Sequence, residues 1–154
     1  MIAKGEFVPY QKIGAFTFGM HRDEVQKSNQ SYRTFMCGFP VRNHICDDFR
    51  SYHAYYRPDY TLEAISLFPD FEIKYKEQVI TVTDDVEALT SKLRLLCTDL
   101  KYIENESTYV SLELGIVLYC ENGDLSNMLV FSKEYFDEEN EYLKHNFGVT
   151  KFGL

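Results

Sequence analysis

The segment 51–75 reads SYHAYYRPDYTLEAISLFPDFEIKY, and its pattern decides the fold class. Ser51 to Arg57 alternates, with Tyr52, Ala54 and Tyr56 on one side and His53 and Tyr55 on the other. Period two is the pattern of a half-buried strand. Pro58-Asp59 is turn chemistry, because proline presets its own backbone and aspartate bonds the main chain just beyond it. Leu62 to Phe68 gives a second strand, with Leu62 and Ala64 opposed to Ile65 and Leu67. Pro69-Asp70 marks another turn, and Phe71, Ile73 and Tyr75 share one face of a third strand. Three strands of similar length joined by short turns predict an antiparallel meander.

Outward from this segment the pattern changes to helix. Val86, Leu89, Leu93, Leu96, Cys97 and Leu100 form one apolar stripe, which predicts a helix from about Asp84 to Asp99 packed on a sheet. Thr83 is the expected N-cap, and Asp84, Asp85 and Glu87 suit the positive end of the helix dipole. Tyr109 to Leu112 and Ile116 to Cys120 read as further strands, the second central because it is almost continuously apolar. Asn122-Gly123 is the favoured hairpin turn, and Leu125 to Phe131 returns from it. Ser132 can cap a last helix from Lys133 to about Asn146, lined by Tyr135, Phe136, Tyr142 and Leu143. The apolar tail 147–154 is expected to dock as an edge strand.

Towards the N-terminus, Ile13 to Phe18 reads as a short extended stretch and Arg22 to Gln30 as a helix carrying Asp23 and Glu24 at its start. Residues 31–50 read as irregular, with a strand near Thr34 to Met36, a break at Gly38-Phe39-Pro40 and the meander beginning at Asp47-Asp48. The expected fold is α+β: an antiparallel sheet, a meander of several strands, packed against two or three helices. A short helix leads into strands in each half, which hints at a degenerate helix-plus-strands duplication.

The 154 residues suit one domain, residues 1–154, large enough to bury a core without metal or disulfide. The net charge of −8 would repel a phosphate backbone or an anionic lipid surface, so neither nucleic acid nor membrane is an expected partner. A basic protein partner would be steered towards such a field. The N-terminus lacks the apolar run of a secretory signal, which leads us to expect a cytoplasmic protein. Cys37, Cys46, Cys97 and Cys120 match no metal spacing and are expected to be reduced thiols.

Ile13-Gly14, Phe16, Phe18-Gly19-Met20 and Asp23-Glu24-Val25 together resemble the opening G-x-F-x-x-G-M-x-x-(D/E)-E-V of many small bacterial proteins. Some of those are encoded beside secreted polymorphic toxins and are regarded as immunity proteins. Glu113 to Tyr119 is similar to a second pattern of the group, and Val130-Phe131 with Tyr135-Phe136 to its ends. A related helix start occurs in outer-membrane assembly lipoproteins and in β-lactamase-inhibitor-like domains. The resemblance implies binding to a toxin domain and supplies no catalytic residues. In this chain the motif reads structurally: Gly14 and Gly19 allow sharp backbone, and Met20 and Val25 anchor the helix.

Other chemistry is weakly signalled. His44, Cys46 and Asp47 lie close together, but nothing activates the thiol visibly. Cys37, His44 and Cys46, with His53 or Asp48, lack paired zinc-ligand spacing. Asp137-Glu138-Glu139 looks like an exposed helix face, and His21 and His145 like exposed polar residues. No cofactor or metal is therefore expected. The candidate partner-binding surface is the aromatic and acidic set Asp47, Asp48, Tyr52, His53, Tyr55, Tyr56, Arg57, Asp59 and Tyr60, since tyrosine and arginine anchor interfaces. The preferred reading is a non-catalytic immunity-type protein that occludes a basic toxin domain. The alternatives are a structural or regulatory homodimer and an enzyme with an unrecognised site.

Overall fold

The computed structural model describes residues 5–37 and 44–154. Strands β4 (Arg33–Cys37), β5 (His44–Asp48), β6 (Tyr52–Tyr56) and β7 (Leu62–Leu67) form one antiparallel meander. Strands β10 (Lys101–Ile103), β11 (Thr108–Ser111), β12 (Ile116–Glu121) and β13 (Asp124–Phe131) form a second. The last strands of the two meanders pair antiparallel, with Ser66 opposite Leu129 and Ile65 opposite Val130. The result is one eight-stranded sheet in the order β10-β11-β12-β13-β7-β6-β5-β4. Helix α1 (Arg22–Lys27) precedes the first meander and α2 (Val86–Arg94) the second, so the helix-plus-strands repetition exists at the level of topology.

A smaller sheet is built from β1 (Gly5–Val8), β2 (Lys12–Ile13), β3 (Phe16–Thr17), β8 (Glu72–Tyr75) and β9 (Gln78–Thr81). Its order is β3-β2-β1-β8-β9, and β1 and β8 run parallel. The main core joins the two sheets. Phe7, Ile13, Phe16, Ile73 and Ile80 from the small sheet cluster with Tyr52, Ile65, Leu67, Ile116, Leu118 and Val130 from the large one. Val25 of α1 and Leu89 and Leu93 of α2 complete it. Helix α3 (Lys133–Phe147) belongs to a second core, where Ala64, Val117, Leu129, Phe131 and Phe152 pack with Tyr135 and Phe136. That second core lies on the opposite face of the large sheet, because Ala64 and Leu129 alternate with Ile65 and Val130 along their strands.

Several local expectations hold and several fail for visible reasons. The 51–57 and 62–68 strands form, and Tyr52, Ala54 and Tyr56 are the buried set. The third strand forms too, but it leaves the meander. Asp70 adopts a left-handed φ of 79°, and the chain crosses to the small sheet. There β8 pairs with β9 through Lys76 and Glu77, both at positive φ in a two-residue hairpin. That turn normally carries glycine or asparagine, so no composition signal announced it. Asn122 and Gly123, at φ 54° and 86°, are the same turn with the expected residues.

Helix α2 is shorter than its stripe. Asp85 rather than Thr83 caps it, accepting from the Ala88 amide at 3.1 Å. Beyond Leu95 the chain is captured by β11 and the turn after it. Thr98 donates to Glu113, and Asp99 accepts from Ser111 and the Glu113 amide. Helix α1 likewise stops at Lys27 instead of Gln30, with His21 as its N-cap. Ser132 caps α3 as expected. The C-terminal tail is a 3₁₀ turn with Phe152 buried, not an edge strand. The stretch read as irregular contains β5, and the break at Gly38-Phe39-Pro40 lies outside the described residues.

The expectation of four reduced thiols is overturned, because Cys37 and Cys46 are joined in a disulfide between β4 and β5. Cys37 faces His44, and Cys46 faces Phe35, so the bond runs diagonally between neighbouring strands and fastens the edge strand of the sheet. Cys97 and Cys120 remain free. Alkylation of the denatured, unreduced protein should therefore modify Cys97 and Cys120 only, and prior reduction should add two further labels by mass spectrometry. Four labels without reductant would show the pair open.

Candidate functional site

The expected partner-binding set does not form one patch. Asp47, Tyr52 and Tyr56 are buried and cannot meet a partner directly. Strand alternation turns all three towards the interior beneath α1. There Arg22 grips Asp47 through two hydrogen bonds, of 2.9 and 2.8 Å, while Gln26 and Thr34 donate at 2.9 and 3.0 Å. Burial alone would raise the Asp47 carboxyl, but the bonds from Arg22, Gln26 and Thr34 outweigh it and hold the pKa below its ordinary value. The Tyr56 phenol is pushed far up, by burial and then by the charge of Asp47. Asp47 thus pins α1 to the sheet.

The remaining members separate into three places. Asp48 and His53 meet at 3.2 Å on the outer face, beside Arg33 and between the rings of Phe35 and Phe68. Burial lowers the His53 pKa, and Asp48 offsets only part of that effect. Arg57, Asp59 and Tyr60 sit at the β6–β7 turn, with Arg57 paired to Glu138 at 2.6 Å. Tyr55 turns into a cavity on the α3 side of the sheet.

That cavity, about 330 Å³, is the candidate site. Its floor is the centre of the large sheet, where Tyr55, Ser66, Asn127, Leu129 and Tyr119 present their outward side chains. Helix α3 supplies Tyr135 and Glu139, the C-terminal turn Lys151, and the disulfide-bonded edge Cys37 and His44. Tyr55 donates to Ser66 Oγ at 3.1 Å, and Asn127 donates to the same atom at 2.8 Å. Burial raises the phenols of Tyr55, Tyr119 and Tyr135, so all three remain neutral donors.

Beside the cavity lies a buried polar chain that the sequence concealed. His44 Nδ1 contacts Glu63, and its Nε2 contacts Glu139 Oε1 at 2.9 Å. Lys151 lies 3.8 Å from Glu139 Oε2. All three members of the His44–Glu63–Glu139 group are at most 5% exposed. The two ring nitrogens of His44 thus face one carboxylate each, and the imidazole bridges Glu63 and Glu139. The sequence places Glu139 in what looks like an exposed acidic face. It is buried instead, because its turn of α3 faces the sheet. Glu63 did carry a signal: an acid within a largely apolar strand is seldom buried without a partner. Ser66, Asn127 and Lys151 carried none.

Two sequence candidates for chemistry lose their reactive atoms. With its sulfur in the disulfide, Cys46 is no nucleophile, and neither Cys37 nor Cys46 offers a free thiolate to a metal. Among the described residues no cluster of three or more His, Cys, Asp or Glu has the geometry of a metal site. No helix there is long and apolar enough to cross a membrane.

The Asp47 cluster yields a pH prediction. A carboxyl whose folded pKa lies below its unfolded value of about 3.9 stabilises the fold fully above that value. The contribution is lost as the pH falls through the folded pKa. Asp47→Asn should cost about 2–3 kcal/mol in urea unfolding at neutral pH, less than a fully buried pair because Arg22 keeps some solvent contact. Below about pH 4 the wild type should lose stability more steeply than the variant, so that the two converge.

Comparison with known protein families, curated proteins and solved structures finds no match to this chain.

Proposed function

We propose that the protein is a non-catalytic, protein-binding protein of the immunity type, which neutralises a basic toxin domain by covering it. The observation that carries this reading is an acidic end of the large sheet. Glu121 and Asp124 flank the β12–β13 hairpin, and Leu125 bonds the Asp84 carbonyl. Cys120 bonds the Ser107 carbonyl, which brings the turn with Glu104 and Glu106 alongside. All five acids are exposed, and none forms a salt bridge with a described residue. Unpaired surface charges of one sign steer an oppositely charged partner and raise its association rate.

The net charge of −8 and the resemblance of the Ile13–Val25 stretch to toxin-associated proteins support the same reading. This surface differs from the tyrosine-rich one expected from sequence, of which Asp48, His53, Arg57, Asp59 and Tyr60 stay at least partly accessible. The cytoplasmic location inferred from the sequence belongs to the proposal too. The Cys37–Cys46 bond weighs against it, since disulfides persist mainly in oxidising compartments.

The alternative of a homodimer draws on the exposed Phe147, Val149 and Leu154 around the end of α3. The test is co-expression with the product of a neighbouring toxin gene, followed by binding kinetics at two salt concentrations. Neutralisation is expected, with an association rate that falls in salt and drops about tenfold or more in a Glu104→Lys, Glu121→Lys, Asp124→Lys triple variant. Failure to bind or neutralise, with self-association by light scattering, would overturn the proposal in favour of the homodimer.

A further inference from the structure

The α3-side cavity has features that the proposed toxin binding does not use. Its volume of about 330 Å³ lies at the small end of the roughly 300–1,000 Å³ typical of ligand sites. Three tyrosines line it, together with Ser66 and Asn127. Tyr119 and Tyr135 make no hydrogen bond through their hydroxyls to any described residue. Asn127 spends one amide hydrogen on Ser66 and keeps a second donor and its carbonyl. These half-buried groups face the cavity with hydrogen-bonding capacity to spare, which water or the hydroxyls of a ligand can take up.

The charges beside the cavity narrow the class of occupant. The carboxylate oxygens of Glu139 face His44 and Lys151. The Lys151 ammonium also lies 5.8 Å from the centre of the Tyr135 ring. The Tyr135 face, which would attract a cationic ligand, is thus already beside a resident cation. On the sheet side of the cavity Tyr55, Ser66, Tyr119 and Asn127 are neutral, and each can donate or accept.

We propose that this cavity binds a small, neutral, polyhydroxylated ligand of the monosaccharide class. Its hydroxyls would bond Asn127, Ser66 and the phenols of Tyr119 and Tyr135, and its C–H face would lie on the rings. Hydroxyl groups both donate and accept, which matches phenol, amide and serine partners without altering the charge of the pocket. Whatever sits here also touches β6, β7, β13 and α3 together, since each contributes lining residues.

The experiment is saturation-transfer NMR and calorimetric titration of the full chain. The neutral probes are glucose, galactose, mannose and N-acetylglucosamine, and the charged probes are inorganic phosphate, acetate and tetramethylammonium. Saturable binding of at least one neutral sugar is expected. Tyr119→Phe, which removes a hydroxyl and keeps the ring, and Asn127→Ala should each weaken it about tenfold, equivalent to about 1.4 kcal/mol. Thermal unfolding of Tyr119→Phe checks that the fold survives. The proposal is overturned if none of the four sugars binds, if only a charged probe binds, or if binding is unchanged in a folded Tyr119→Phe protein.

Discussion

The antiparallel pairing of β7 with β13 is the constraint on which the molecule rests. It joins two four-stranded meanders that would otherwise be separate sheets. All six residues of β7 are buried, because each face of this strand meets a different core. Ile65, Leu67, Met128 and Val130 look towards the small sheet, and Ala64, Leu129 and Phe131 look towards α3. Each large apolar side chain removed from water contributes about 1.5–3 kcal/mol. A register slip of one residue at this seam would exchange the two faces and lose both cores at once.

Function is tied to the same seam. Ser66 and Asn127 reach the cavity because they occupy the outward positions of β7 and β13. Glu63 adds a buried acid to β7, and a lone buried carboxylate would cost several kcal/mol. His44 offsets that cost from β5 of the same meander and is held in turn by Glu139 of α3. The polar chain therefore fastens β5, β7 and α3 around the cavity. On the other face the Asp47–Arg22 pair plays the equivalent part for α1.

The α+β class, the two helix-led halves, the Asn122-Gly123 hairpin and the Ser132 cap were legible because each rests on local chemistry. Strand alternation likewise gave Tyr52, Ala54 and Tyr56 as one face. The departure of Phe71 to Tyr75 into a second sheet was not legible, since Pro69-Asp70 signals a turn and not its direction. The site was harder still. Its residues come from positions 37 to 151, and Glu139 lies within a run of acids whose solvent-facing members it resembles in sequence. Asp47 and Asp48 are neighbours in sequence and point to opposite faces of one strand, so reading them as a pair merged an internal anchor with a surface group.

The central claim is that the two meanders fold as one unit through β7 and β13. Native-state hydrogen exchange, resolved by residue, tests it directly. The account predicts that the amides of β7, β12 and β13 exchange last, all at the free energy of global unfolding. If the β4–β7 and β10–β13 halves open independently, and the seam amides exchange before those within each meander, the account is contradicted.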